Sequence, residues 1–338
     1  MKYKRYLIFY RRGVSSGKNI SSRKIPAIGL DLLKDHDVEM YDKEALISLD
    51  ELTERVKDKD ALLSLLSTKV TKEVIDAAPN LKIVANYGAG YDNIDYSYAG
   101  GKGIAVTNTP KVSTEATAEL TFALLLAAAR RIPEGDTLCR TTGFNGWAPL
   151  FFLGREVHGK TIGIIGLGEI GKAVAKRAKA FGMNVLYTGP NRKPAAESEL
   201  EATYVTLEEL LQTADFITIN CAYNPKLHHM IDEKQFKMMK KTAYIVNASR
   251  GPIMNEAALA QALKTNEIEG AALDVFEFEP KITEELKELK NVVLAPHVGN
   301  ATFETRDAMA EMAVRNILAV LNGEEPVTPV NQKVLVTK

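Results

Sequence analysis

The stretch TIGIIGLGEIGKAVAKRAKAF, Thr161–Phe181, decides the fold. It opens on a five-residue apolar run rich in isoleucine. Gly166, Leu167, Gly168, Glu169, Ile170 and Gly171 follow as a GxGxxG pattern, and small apolar and basic residues then alternate at helical spacing. Strand, glycine turn and helix in that order form the phosphate-cradling start of a dinucleotide-binding unit. The first glycine permits the tight turn and the second lets a pyrophosphate approach the backbone. The third lets helix and strand pack closely, and the helix N-terminus faces the anion. Glycine turns alone are common; the flanking strand and helix make this one specific.

Outward from this stretch, further β-branched or apolar runs follow at Asn184–Tyr187, Phe216–Asn220, Ala243–Asn247, Ala271–Val275 and Val292–Ala295. With Thr161–Ile165 they make six strands, the count of a complete dinucleotide fold. An earlier series runs through Leu7–Tyr10, Val38–Tyr41, Leu62–Leu66, Ile83–Tyr87 and Ile104–Thr107, with helical stretches such as Ser48–Lys57 and Lys72–Ala78 between. The alternation predicts an α/β protein with two doubly wound parallel sheets. Between the series lie a long helix from about Thr114 and the segment TTGFNGWAPLFFLG, whose aromatics suit a partner subunit. An amphipathic helix, Glu304–Leu321, stops at Asn322-Gly323 and is expected to return to the first unit.

The chain has 338 residues, room for two domains of about 150 residues each. Its 43 Lys and Arg balance 43 Asp and Glu. Nothing therefore draws the whole chain toward nucleic acid or an anionic membrane. Cys139 and Cys221 are too far apart for a disulfide framework or a metal-ligand spacing, so no metal is expected. The apolar run in MKYKRYLIFYRR is too short for a signal peptide. The most apolar helix candidate, Glu119–Ala129, falls short of the ~20 residues a bilayer requires. These features read as a soluble, cytoplasmic protein.

Ligands of open α/β sheets sit beyond the carboxyl ends of the strands. After NVLYT, where an acidic residue would mark NAD, stands Thr188, followed by Gly189, Pro190, Asn191, Arg192 and Lys193. With two cations and no carboxylate to meet a ribose 2′-phosphate, NADP is expected over NAD. After AYIVN come Ala248, Ser249 and Arg250; Asp274 precedes Phe276-Glu277-Phe278-Glu279-Pro280; His297 follows VVLAP. One guanidinium, one imidazole and carboxylates thus meet at one edge. Reducing a ketone places negative charge on oxygen. His297 is the candidate general acid, Glu279 its supporting carboxylate, and Arg250 the fork for a substrate carboxylate and carbonyl. Asp274, Ala248 and Ser249 are expected on the cofactor side, with Glu169, Ile170 and the loop glycines. His36, His158, His228 and His229 lack such company and read as structural or solvated.

Five segments together resemble the D-isomer-specific 2-hydroxyacid dehydrogenase family: NYGAGYDNID (Asn86–Asp95), the GLGEIG loop, NASRGPIMNE (Asn247–Glu256), DVFEFEP (Asp274–Pro280) and APHVGNAT (Ala295–Thr302). The resemblance runs in order from about Leu62 to Leu321. It implies that Arg250, Glu279 and His297 are catalytic. It also implies a Rossmann cofactor domain, 109–300, inserted into a flavodoxin-like substrate domain, 1–108 and 301–338. Amides of Gly88, Ala89 and Gly90 would hold the substrate carboxylate, with Leu65 and Leu66 lining the same pocket. YTGPNRKP and GWAPLFFLG are similar to the glyoxylate/hydroxypyruvate reductase branch. That likeness implies NADPH, a homodimer, and Trp147 entering the neighbouring subunit's substrate pocket. Asn300 stands where many members have serine. Alternatives are a lactate, gluconate or phosphoglycerate type of dehydrogenase, or a nucleotide-sensing, corepressor-like binding protein on the same scaffold.

Overall fold

Short apolar runs, bounded by capping residues, become the strands and helices of two units in a computed structural model. The structure describes residues 8–11, 25–41, 43 and 45–331. Most of the segment weighed above as a signal peptide lies outside these residues, as does 332–338. One unit comprises Met1–Ser113 and Asn300–Lys338, the other Thr114–Gly299.

In the first unit the strands are β1 (Ile8–Arg11), β2 (Asp37–Met40), β3 (Ala61–Leu65), β4 (Ile83–Tyr87) and β5 (Ala105–Thr107). Their order is β2-β1-β3-β4-β5, the flavodoxin-like arrangement. β3, β4 and β5 are parallel, whereas β1 runs antiparallel to both neighbours. A short apolar run carries no direction, because either orientation completes a hydrogen-bonded ladder. Ser48 caps the helix Leu49–Arg55 by accepting the Glu51 amide. The C-terminal helix Phe303–Leu321 packs in this unit, where the Tyr87 hydroxyl donates to the Arg306 carbonyl at 2.6 Å.

The second unit holds seven parallel strands: β6 (Thr161–Ile165), β7 (Asn184–Thr188), β8 (Ala202–Tyr204), β9 (Phe216–Ile219), β10 (Tyr244–Asn247), β11 (Gly270–Leu273) and β12 (Val292–Leu294). Their order is β12-β11-β10-β9-β6-β7-β8. β6 to β11 therefore follow the Rossmann order, with β12 added beyond β11. The six strands expected from sequence do not include β8, a three-residue strand with two exposed positions. Every residue of β9, β10 and β11 is buried, as expected of strands covered on both faces. Phe122 and Leu125 of the helix Thr114–Ala129 pack on one face of the sheet. Leu210, Phe236 and Leu259, from helices capped by Thr206, Asp232 and Asn255, pack on the other.

Register positions the site. Ile165 pairs with Ile219, Ile219 with Asn247, Asn247 with Leu273, and Leu273 with Leu294. The last residues of five strands thus form one row, and the loops after them leave the sheet along a single edge. Between β6 and β9 the chain's winding reverses, which opens a crevice there.

Candidate active site

The glycine loop leaves β6 at the middle of this edge. Gly166 has φ +96°, a left-handed conformation that favours glycine, and a β-carbon there would lie 2.7 Å from the Cys221 amide nitrogen. A β-carbon on Gly171 would lie 2.2 Å from the Gly166 carbonyl oxygen, so the helix Glu169–Ala180 packs against the turn at backbone distance. Gly168 faces open space, with no atom within 4 Å of where its β-carbon would be. The first helical hydrogen bond runs from Lys172 N–H to the Gly168 carbonyl, leaving the first-turn amides at the mouth. An open face backed by amides and a helix N-terminus fits a pyrophosphate.

Past β7, Arg192 is not alone. Its guanidinium forks onto Glu197, with Nε to Oε1 at 2.9 Å and Nη2 to Oε2 at 2.8 Å. Glu197 also accepts the Tyr187 hydroxyl at 2.5 Å, and that hydroxyl accepts the Lys193 amide at 2.7 Å. Arg192 and then Tyr187 hold the Glu197 carboxyl below its ordinary range. The expectation that no carboxylate stands beside the two cations is corrected. The helix Pro194–Leu200 turns Glu197 back over Arg192.

The turn after β10 is tied by Asn247, whose side chain is fully buried. Its Oδ1 accepts the Ser249 amide at 3.1 Å and its Nδ2 donates to the Arg250 carbonyl at 3.0 Å. The Ser249 hydroxyl donates to the Cys221 carbonyl. A β-carbon on Gly251 would lie 1.9 Å from the Phe276 carbonyl carbon. Glycine at 251 therefore lets the backbone carrying Arg250 meet the backbone leading to Glu279. Neither Asn247 nor Gly251 was singled out from sequence, although both lie in the quoted NASRGP segment.

Glu279 accepts the Phe276 amide at 3.0 Å through Oε1, and its Oε2 lies 2.9 Å from Nδ1 of His297. Burial pushes the Glu279 carboxyl upward. The hydrogen bond and charge of His297, with the Phe276 amide and Arg250, outweigh it and leave the group below its ordinary range. With Nδ1 bonded to a carboxylate, that nitrogen carries the proton and Nε2 is left for exchange with a ligand.

His297 has φ +55°, a backbone conformation costing a non-glycine residue roughly 1–2 kcal/mol. What holds it is Asp274, 1% exposed, whose two oxygens accept the Val298 amide at 2.7 Å and the Gly299 amide at 2.8 Å. Burial pushes the Asp274 carboxyl upward, against the pull of those amides and of His297. The expectation for Asp274 is thereby modified, because its oxygens anchor the His297 loop first. A cofactor contact would need a second lone pair on one of them.

His229 and Glu277 form a separate pair at 2.6 Å. Among the described residues, His228, His229 and Glu277 place possible ligand atoms within 4.8 Å of one another. The two imidazoles stack at 4.0 Å and 19°, so their lone pairs lie in nearly parallel planes and do not converge on a tetrahedral centre.

In the first unit, Gly88 is buried, and Leu65, Ala89 and Gly90 are partly exposed. Trp147, in the second unit, is 86% exposed.

The sequence profile of the D-isomer specific 2-hydroxyacid dehydrogenase, NAD binding domain, matches residues 122–299. The chain belongs to this family. A Staphylococcus saprophyticus protein, named provisionally as a 2-hydroxyacid dehydrogenase, is 65% identical over 309 residues, 91% of this chain and 97% of that protein. A Thermus thermophilus protein of solved structure superposes with TM-score 0.86 at 40% identity, covering 92% of this chain and 98% of that one. An NADPH-dependent glyoxylate/hydroxypyruvate reductase from Sinorhizobium meliloti, solved with NADP and malonate, gives TM-score 0.76 at 33% identity over 91% of this chain and 94% of that one. The protein is thus a D-2-hydroxyacid dehydrogenase, an oxidoreductase with a Rossmann-type domain for a nicotinamide cofactor. Among the described residues, no helix is long and apolar enough to cross a membrane.

Proposed function

We propose that this dehydrogenase reduces a small 2-oxoacid of the glyoxylate or hydroxypyruvate type to the D-2-hydroxyacid, with NADPH preferred over NADH. The observation that carries the reading is the Glu279–His297 pair at 2.9 Å, on the sheet edge that also presents Arg250 and the Gly166–Gly171 cradle.

A bound nicotinamide cofactor supplies the hydride that the substrate C2 receives. Gly166, Gly168, Glu169, Ile170 and Gly171 would hold its pyrophosphate, Arg192 and Lys193 its 2′-phosphate, and Ala248, Ser249 and Asp274 would serve its nicotinamide half. Arg250 pairs with the substrate carboxylate and polarises the carbonyl. His297 Nε2 gives its proton to the carbonyl oxygen as charge develops there, and Glu279 at Nδ1 holds the ring's orientation and tautomer. In the first unit, the Ala89 and Gly90 amides bind the carboxylate and Leu65 limits side-chain size, whereas the Gly88 amide expected beside them is taken by the Asn86 carbonyl at 2.9 Å. The choice of substrate and cofactor is supported by the likeness to the Sinorhizobium reductase, named NADPH-dependent.

The enzyme is proposed to work in the cytoplasm as a homodimer, with Trp147 serving the partner's pocket. Exposure of Trp147 at 86% and Leu150 at 84%, beside the stacked Phe144 and Phe151 rings, supports a covered face. Two free thiols, Cys139 and Cys221, suit a reducing compartment. Steady-state reduction of a panel of 2-oxoacids with NADPH and with NADH tests the reading. Glyoxylate and hydroxypyruvate with NADPH should give the highest kcat/KM. Negligible turnover with every 2-oxoacid, despite cofactor binding, would replace it with a nucleotide-sensing role.

A further inference from the structure

We infer that Asn108, itself fixed by a C-terminal strap through Thr328, is a positioning residue for the turn Gly88–Gly90. The inference rests on the proposed role of that turn in holding the substrate carboxylate.

All three carbonyls of the turn are tied to protein donors. The Thr109 amide donates to Gly88 O at 3.0 Å, Asn108 Nδ2 to Ala89 O at 2.6 Å, and Asn86 Nδ2 to Gly90 O at 2.5 Å. Asn86 is fully buried and its Oδ1 accepts Ser64 Oγ at 3.1 Å and Asn93 Nδ2 at 3.3 Å. The amides of Ala89 and Gly90 meet no acceptor among the described residues. In a trans peptide the N–H points opposite its carbonyl, so tying the Gly88 and Ala89 carbonyls leaves the Ala89 and Gly90 amides directed away from those donors and open to an anion. A peptide unit is planar, so fixing the Ala89 carbonyl also fixes the Gly90 N–H direction.

Asn108 is held in turn from far along the chain. The Thr328 hydroxyl donates to the Asn108 carbonyl at 2.6 Å. Thr328 is clamped by Asn316 of the helix Phe303–Leu321, whose Oδ1 accepts the Thr328 amide at 3.0 Å and whose Nδ2 donates to Thr328 Oγ1 at 2.8 Å. Asn316 is fully buried, and Val330 N–H adds a bond to Val106 O at 2.8 Å. The strap after the last helix therefore meets the residue that aims the turn and continues along β5 to Val106. Asn316 Nδ2 also donates to the Met312 carbonyl at 2.9 Å, so the buried asparagine that clamps Thr328 is itself anchored within its helix.

The test uses the full-length enzyme at saturating NADPH, with KM for glyoxylate, kcat, and the NADPH Kd by fluorescence titration. Asn108→Ala and Thr328→Val should each raise KM about fivefold to tenfold, the effect of one lost hydrogen bond aiming a donor. kcat should stay within about twofold and the cofactor Kd should not move, as for loss of uniform substrate binding. Thr328→Ser keeps the hydroxyl and should restore KM. A merely structural role would lower the melting temperature and the active fraction, hence kcat, without moving KM. Unchanged KM in both variants overturns the inference, and so does a raised KM that Thr328→Ser fails to restore. If the wild type reduces no 2-oxoacid, the reading of function falls and this inference with it. That failure is read on the wild type alone and is distinct from failure in the variants.

Discussion

Two glycines three residues apart should fail in opposite ways when given a methyl group. Gly171→Ala places a β-carbon 2.2 Å from the Gly166 carbonyl oxygen and 3.3 Å from Ile164 Cγ2. Ordinary contact begins near 3.4 Å, so the helix Glu169–Ala180 must move by about 1 Å, and no flexible side chain can yield in its place. Overpacking of this kind costs about 1–3 kcal/mol, and a backbone obstacle belongs at the upper end. For a unit of this size that lowers Tm by roughly 6–12 °C. Gly168→Ala meets nothing within 4 Å and its backbone, φ −80° and ψ −162°, suits any L-residue. Its Tm should be unchanged. Its methyl group occupies the space where the pyrophosphate approaches, so the cofactor Kd should rise about 10- to 100-fold, or ~1.4–2.8 kcal/mol. Thermal melts with and without NADPH, beside calorimetric titration, separate the two effects. Cofactor at 100 times the wild-type Kd should stabilise the wild type by about 2.7 kcal/mol and Gly168→Ala by far less. Wild-type cofactor affinity in Gly168→Ala, or an unshifted Tm in Gly171→Ala, would refute the reasoning.

Other outcomes follow from the same geometry. Arg192→Ala should lower the kcat/KM ratio of NADPH to NADH by about 10- to 100-fold, the size of a charge-assisted hydrogen bond, as a paired cofactor assay would read. Glu279→Gln should lower kcat more than it raises KM. Because the Glu279 carboxyl is held below its ordinary range, the wild type's stability advantage over this variant is present at neutral pH and shrinks as pH falls through that lowered pKa, visible in urea melts across acid pH. Asp274→Ala removes the acceptor for two loop amides and should cost about 1–3 kcal/mol in unfolding experiments, with a parallel loss of kcat as His297 leaves its strained conformation.

The sequence displays its strand ends and glycine loop openly, because apolar runs and turn glycines are local signals. Arg250, Glu279 and His297 were legible for a further reason: parallel strands of similar length bring their exits into one row. Three kinds of feature were hidden. β8 is three residues long, too short for a periodicity to show. The direction of β1 depends on its connection, not on its residues. Partners reached through folding were also missed: Glu197 over Arg192, Asp274 beneath the His297 loop, Asn247 tying the Arg250 turn, and Asn86 and Asn108 behind the Gly88 turn. Each is a buried or half-buried polar side chain whose role lies in an acceptor or donor that only the folded turn or loop brings to it. No run, spacing or charge balance records that pairing.

The proposed chemistry stands on proton donation from His297. Single-turnover reduction of glyoxylate by His297→Ala, with NADPH affinity and Tm measured on the same preparation, tests it most directly. The rate should be lower by about 10²–10⁴-fold with cofactor affinity preserved and Tm lowered only as far as the lost Glu279 contact requires. A rate within about tenfold of the wild type would contradict it.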